Sequence, residues 1–211
     1  MGIYSLLKKD FTKEKNAIEL FGCKNNFCNS LVIGVFHGDE PIGKDILERY
    51  LNFGSNKNLL IVPCLNPDGM VLNTRQNANK VDLNRNFSTK NWVKTDIGED
   101  YYGGERPESE IETRFIMSII EEYAPKRIVT IHTPYKIVNY DGDEKAKTFA
   151  QEIAKVLNYE IESDIGYPTP GSFGTYYGKE RNIPVITIEL DEKETLTGVY
   201  PKFEQILNDL L

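Results

Sequence analysis

An α/β fold, built as a mixed, mostly parallel central sheet with helices on both faces, is what this sequence predicts. Two observations predict it. Short, nearly continuous runs of Val, Ile and Leu recur along the chain, which is how strands buried on both faces read. Stretches with helical punctuation separate those runs, as the crossover connections of a parallel sheet require. The first run, Leu31-Val-Ile-Gly-Val-Phe36, is β-branched and short, and Pro41 then opens a helix to about Asn52. Asn58-Leu-Leu-Ile-Val-Pro63 is the next strand. Residues 66–107 follow with little periodicity and many Asn, Asp, Gly and Arg residues, and a loop of that length in a compact domain is usually functional. Ser109-Glu110-Ile111-Glu112 has the pattern of a capping box opening a helix to about Tyr123. Arg127–Ile131 is a buried-type strand, about Glu144–Leu157 a helix, and Tyr159–Glu162 a short strand. A turn-rich stretch Gly166–Gly171, a strand Pro184–Leu190 and a closing helix Tyr200–Leu211 complete the order.

The chain of 211 residues suits one domain spanning residues 1–211, and its 40% apolar content is enough to bury a core. Acidic residues outnumber basic ones, 32 against 25, for a net charge of −7. No global field holds a nucleic-acid backbone or an anionic membrane, so neither is expected as a partner. The longest apolar run, Leu59–Leu65, includes Pro63 and falls far short of the ~18–20 residues of a membrane span. At the start, Lys8 and Lys9 follow the apolar patch, and no secretory h-region of about 7–15 residues is present. Three cysteines (Cys23, Cys28 and Cys64) are odd in number and read as reduced thiols. Together these features point to a cytoplasmic protein. Oligomeric state is not legible.

The chain has two histidines, and both stand in the same kind of place. His37 follows the run ending at Phe36, and His132 follows the run ending at Ile131. Ligands of open α/β sheets bind outside the carboxyl ends of the strands. In His37-Gly-Asp-Glu40 a carboxylate shares the turn with the first histidine. Two histidines and one glutamate, with a fourth position left for water, is the donor set of a catalytic zinc site. Glu189 is a further carboxylate at a strand exit, where burial is costly unless the group works or is paired, and it suits a general base. Arg75 and the run Val81-Asp-Leu-Asn84-Arg85-Asn-Phe87 place two guanidinium forks in the long loop. Such forks suit a carboxylate or a developing oxyanion. Gly171-Ser-Phe-Gly174, with Tyr167, Tyr176 and Tyr177 nearby, suits a pocket wall or lid. Each feature also has an ordinary structural reading. A strand-end histidine can be a hydrogen-bonded boundary residue, a strand-end Glu and loop arginines can be solvated, and the tyrosines can simply pack.

Taken in order, these segments resemble the M14 zinc carboxypeptidase family. The matching pieces are His37-Gly-Asp-Glu40, Pro63-Cys-Leu-Asn66-Pro-Asp-Gly69, Arg75 with Val81–Phe87, Ser109–Arg114, Ile131-His-Thr-Pro134, and Gly171-Ser-Phe with Thr187-Ile-Glu-Leu190. They run over about three quarters of the chain, from about residue 31 to residue 190. The stretch Tyr167-Pro-Thr-Pro-Gly-Ser172 and the shortness look most like the murein peptide amidase branch. The resemblance implies one zinc ion held by His37, Glu40 and His132, with Glu189 as general base and acid. It implies that Arg75 polarises the scissile carbonyl and that Asn84 and Arg85 grip the terminal carboxylate of the leaving residue. Tyr167 falls where the family has a mobile tyrosine. Phe173 falls near the floor of the specificity pocket, where it replaces any charge that would select a basic side chain. The implied substrate is a small peptide, in this branch a murein peptide cut at a γ-D-glutamyl–meso-diaminopimelate amide. An N-acyl amino acid deacylase of the aspartoacylase type is an alternative, disfavoured by Asn66–Gly69 and Asp82–Phe87. A non-catalytic zinc- or peptide-binding module is another, disfavoured by the presence of Glu189 and Arg75 together.

Overall fold

The computed structural model describes residues 3–23 and 28–211. Its strands are β1 (Ser5–Phe11), β2 (Ala17–Gly22), β3 (Ser30–Gly34), β4 (Leu59–Val62), β5 (Arg127–His132), β6 (Tyr135–Asp141), β7 (Glu160–Glu162) and β8 (Val185–Asp191). Among the described residues they form one sheet in the order β1-β2-β4-β3-β5-β8-β6-β7. The centre is parallel: β4, β3, β5 and β8 run the same way. Antiparallel pairings β1–β2, β2–β4 and β8–β6 flank it, and β7 pairs parallel to β6. The helices are α1 (Ile42–Phe53), α2 (Pro67–Leu72), α3 (Ile111–Tyr123), α4 (Glu144–Leu157) and α5 (Leu196–Gln205).

Two apolar layers sandwich the sheet because successive strand side chains point to opposite faces. Val32, Ile61, Val129, Ile131, Ile186 and Ile188 pack with α1, α4 and α5. Leu31, Ile33, Leu60, Val62, Ile128 and Val185 pack with α3 on the other face. Each fully buried Ile, Leu or Val contributes roughly 1.5–3 kcal/mol of burial energy, and both faces of the central strands are saturated with them. On the α3 face, however, the same alternation turns polar toward the carboxyl ends of β5 and β8. There Thr130 and His132 stand beside Thr187 and Glu189, with the Thr130 hydroxyl donating to Thr187 Oγ1 at 3.1 Å. The chemistry starts where that apolar layer stops.

Several expectations need correction. The β1–β2 hairpin and β6 are strands that the sequence reading left out. β1 is only partly buried, with polar residues interleaved, so its apolar signal is weak. The stretch after residue 66 is not structureless, since it contains α2 and the 3₁₀ turn Leu83–Arg85. The capping box before α3 does not form. Glu110 occupies the cap with no side-chain bond to the helix, and the Glu112 carboxylate instead accepts from Asn77. The closing helix starts earlier, at Leu196, with the Thr195 hydroxyl accepting from Gly198 N–H.

Candidate metal centre and active site

His37 follows β3, His132 ends β5 and Glu189 lies near the end of β8, three neighbours in the sheet, so the topology alone brings them together. His37 reaches its place through a strained turn. Val35 adopts φ of 54°, a conformation that a β-branched residue rarely takes and that costs about 1–3 kcal/mol. Two backbone bonds hold it: Leu65 N–H donates to Gly34 O at 3.0 Å, and Asn66 N–H to Val35 O at 2.9 Å. The turn then passes hard against α2, where a Cβ on Gly38 would lie 1.9 Å from the Gly69 carbonyl carbon. Asn66 ties the two loops together. Its Oδ1 accepts from Gly69 N–H, and its amide donates to Phe36 O and Arg75 O. These bonds hold the Asn66-Pro-Asp-Gly69 segment against the His37-Gly-Asp-Glu40 turn.

At the strand ends, the donor atoms of His37, Glu40 and His132 all lie within 4.8 Å of one another, and all three residues are buried. His37 Nδ1 is 2.8 Å from Glu40 Oε1, His132 Nδ1 is 2.9 Å from Glu40 Oε2, and the two Nδ1 atoms are 3.2 Å apart. Zinc bonds of roughly 2.0–2.1 Å in a tetrahedron imply ligand separations of ~3.3 Å, so the donor set fits a zinc ion. Electrostatics point the same way. Burial works against the charge on Glu40, but the two imidazoles outweigh it and hold the carboxyl below the usual range. Burial also opposes protonation of His37, yet Glu40 and Asp82 lift it to about 9, whereas burial lowers His132. One anionic carboxylate faced by two ring nitrogens is a site for a cation.

Asp82 is the residue that sequence reasoning missed here. It is fully buried, and its Oδ1 lies 3.3 Å from His37 Nε2, the ring nitrogen turned away from the cluster. Such a carboxylate fixes the tautomer and orientation of a ligating histidine. Its Oδ2 accepts from Arg75 Nε at 3.0 Å and faces Nη2 at 2.9 Å. Burial disfavours the charge, but His37 and Arg75 hold the acid well below the usual carboxylate range. Asp82 was visible inside the Val81–Phe87 motif, but nothing in the sequence distinguishes it from a solvated loop acid.

Arg75, Asn84, Arg85, Tyr167 and Glu189 all line one open cavity of about 450 Å³ with the His37, Glu40, His132 cluster. Glu189 Oε2 is buried and has no hydrogen-bond partner among the described residues, and burial first, then the nearby Glu40 charge, pushes the carboxyl up to about 8. Arg85 is buried, yet among the described residues no carboxylate lies within ion-pair distance of it. Its backbone is clamped. Trp92 Nε1 donates to Arg85 O at 3.1 Å, and a Cβ on Gly171, which adopts φ of 73°, would lie 2.2 Å from that oxygen. Asn84 Oδ1 accepts from Phe173 N–H at 2.9 Å. Tyr101 was also missed, an aromatic in the long loop with no spacing signal. The Arg75 and Arg85 guanidiniums lie 5.2 and 5.1 Å from its ring centroid, and Tyr167 tilts against it at 6.0 Å. Burial raises the Tyr167 hydroxyl to about 12, with Tyr135 adding to the shift. Phe173 is buried against Phe36, Phe87 and Tyr177 and lines a narrower cavity that opens beside the first. That cavity is not free of charge, as its phenylalanine suggested, because Asp141 and Lys179 also line it.

The whole arrangement defines a class. The zinc carboxypeptidase family model matches residues 24–210, so this chain belongs to that family and is a hydrolase. Among its relatives, murein peptide amidase A of Vibrio campbellii is 36% identical over 176 residues, covering 76% of this chain and 68% of the relative. Murein peptide amidase A of Escherichia coli K12 is 32% identical over 177 residues, covering 76% and 70%. The crystal structure of the murein-tripeptide amidase of Escherichia coli O157 superposes with a TM-score of 0.81 at 26% identity, over 95% of this chain and 88% of that one. Thrombin-activatable fibrinolysis inhibitor, at 18% identity and a TM-score of 0.80 over 99% of this chain and 69% of that one, shares the fold. Zinc is the cofactor of the family, and no helix among the described residues is long and apolar enough to cross a membrane.

Proposed function

We propose that this chain is a zinc-dependent amidase that hydrolyses the amide before a terminal residue with a free carboxylate. The observation that carries the reading is Arg85, a buried guanidinium on the wall of the cavity that holds the His37, Glu40, His132 cluster: among the described residues it forms no ion pair, and its Nη1 donates only to the neutral Asn84 carbonyl at 2.7 Å. A buried cation left unpaired is costly unless a ligand supplies the anion. The terminal carboxylate of a substrate does so, with the Asn84 amide beside it.

His37, Glu40 and His132 would hold the zinc, which would supply a Lewis acid beside the scissile amide. Asp82 keeps the His37 ring in register through Nε2. The bare Oε2 of Glu189 faces no competing donor, so it is placed to take the proton of the attacking water and pass it to the departing nitrogen. Arg75 spends Nε and Nη2 on Asp82, which leaves Nη1 uncommitted to that acid on a residue that lines the cavity, where it suits the oxygen of the scissile carbonyl. Tyr167 sits at the rim against Tyr101, where it can close over the bound residue and exclude water.

The murein peptide amidases among the relatives support a narrower substrate, a murein peptide, and the bond we propose is the γ-D-glutamyl–meso-diaminopimelate amide that the family resemblance implies. Mass spectrometry of products from a murein tripeptide and from a panel of ordinary α-peptides, with and without a chelator, tests this. The expected result is chelator-sensitive release of diaminopimelate from the tripeptide. Turnover of α-peptides alone overturns the narrower substrate, and turnover that survives complete metal removal overturns the zinc dependence.

A further inference from the structure

The narrower cavity deepens that reading. Asp141, the last residue of β6, and Lys179, which ends the helical turn Thr175–Lys179, both line it and pair at 2.9 Å. The Asp141 side chain is only 13% exposed, and the Lys179 side chain is 54% exposed. Glycines make room for this carboxylate. A Cβ on Gly174 would stand 1.9 Å from Asp141 Oδ2, and one on Gly178 would stand 2.5 Å from Asp141 Cβ. The sheet contributes Thr130 and Thr187 to the same cavity, at the place where the α3 face turns polar. The cavity shares Asn84 and Glu189 with the main one, so it leads directly off the reacting centre.

We propose that Asp141 and Lys179 together read the far end of the leaving residue's side chain, and that this end carries both an amine and a carboxylate. The inference rests on the amidase reading above for the orientation of the substrate. Arg85 and Asn84 take the main-chain carboxylate, and the side chain then enters the narrower cavity. In the free protein the pair is mutually neutral. A side chain ending in an amine alone can satisfy Asp141 but takes it from Lys179. One ending in a carboxylate alone does the reverse and strands a largely buried Asp141. An apolar chain leaves the threonine hydroxyls facing carbon. Asp164 lines the same cavity but is exposed, so water screens it, and for the pair an amino-acid head offers each member a new partner and leaves no charge uncompensated. Diaminopimelate has such a head, and Lys179 is then the donor for its second carboxylate.

The test varies the leaving residue and the acyl group separately. Peptides ending in diaminopimelate, lysine (no distal carboxylate) and 2-aminopimelate (no distal amine) are prepared with γ-D-glutamyl and with α-linked acyl groups. The wild type should favour diaminopimelate over lysine by about 10- to 100-fold in kcat/KM, the range of one hydrogen bond to a charged group. Lys179→Met should bring that ratio to within about threefold of unity, mainly through KM, and Lys179→Arg should restore most of it. Lys179 is half-exposed, so these variants should fold. Calorimetric titration with the three free amino acids reads the same preference without turnover. A ratio that Lys179→Met leaves unchanged, or a wild type indifferent to the leaving residue in both assays, overturns the inference. Turnover of α-linked peptides alone sinks the amidase reading, while the leaving-residue ratio still tests the pair.

Discussion

Replacing Asp82 by Asn tests the physical frame of the site most directly, because that carboxylate joins the metal cluster to the arginine loop. Its Oδ1 lies 3.3 Å from His37 Nε2 and accepts from Asn84 N–H at 2.8 Å, and an amide oxygen can keep both contacts. Its Oδ2 lies 3.0 and 2.9 Å from Arg75 Nε and Nη2, and there the new NH₂ sets donor against donor. Asp82 is fully buried and the Arg75 side chain is 27% exposed, so solvent cannot replace the lost partner on the acid's side. Losing one partner of a buried pair costs about 3–5 kcal/mol, and the partly exposed arginine puts the expected value at the low end, about 3 kcal/mol. Loosening the carboxylate behind a ligating histidine lowers metal affinity about 10- to 100-fold. Thermal or denaturant melting, with zinc titration against a competing chelator, reads both quantities. An Asp82→Asn protein that melts like the wild type and binds zinc equally well would refute the reasoning, because it would show that the Oδ2 contacts carry no energy.

Other outcomes follow from the same geometry. Glu189→Gln keeps the shape and the burial but removes the proton acceptor, so turnover should fall by at least ~10³-fold while zinc stays bound. Substantial activity in that variant would assign the proton to another group. Arg85→Ala should raise KM about 10- to 100-fold for substrates with a free terminal carboxylate. A wild type that cleaves carboxylate and carboxamide forms equally would show that no such grip exists. Glu112, buried beside Asn77, is pushed up to about 7, by burial before the nearby Glu110 and Asp68 charges. The fold favours its protonated form, so that contribution is complete below about pH 4.5 and is lost as pH rises through about 7. Glu112→Gln should therefore match the wild type near about pH 5 and exceed it by up to about 3 kcal/mol near about pH 8. A stability difference that does not change with pH would contradict the assignment.

What the sequence determined by itself was the alternation of buried strands and helices and the place where chemistry stands. The central strands are apolar on both faces, so they read as continuous runs, and the residues that end those runs, His37, His132 and Glu189, announce themselves by contrast. Glu40, Arg75, Asn84 and Arg85 were legible because they sit in short segments whose order along the chain is distinctive. The sequence could not show which side chains share a partner across long separations. Asp82 bridges to His37 over 45 residues, Tyr101 stands between two arginines, and Asp141 meets Lys179 only because β6 runs antiparallel beside β8. Local pattern reports burial and backbone geometry, since both repeat with a period of a few residues. Charge partnership depends on three-dimensional distance, and only the completed sheet fixes that distance.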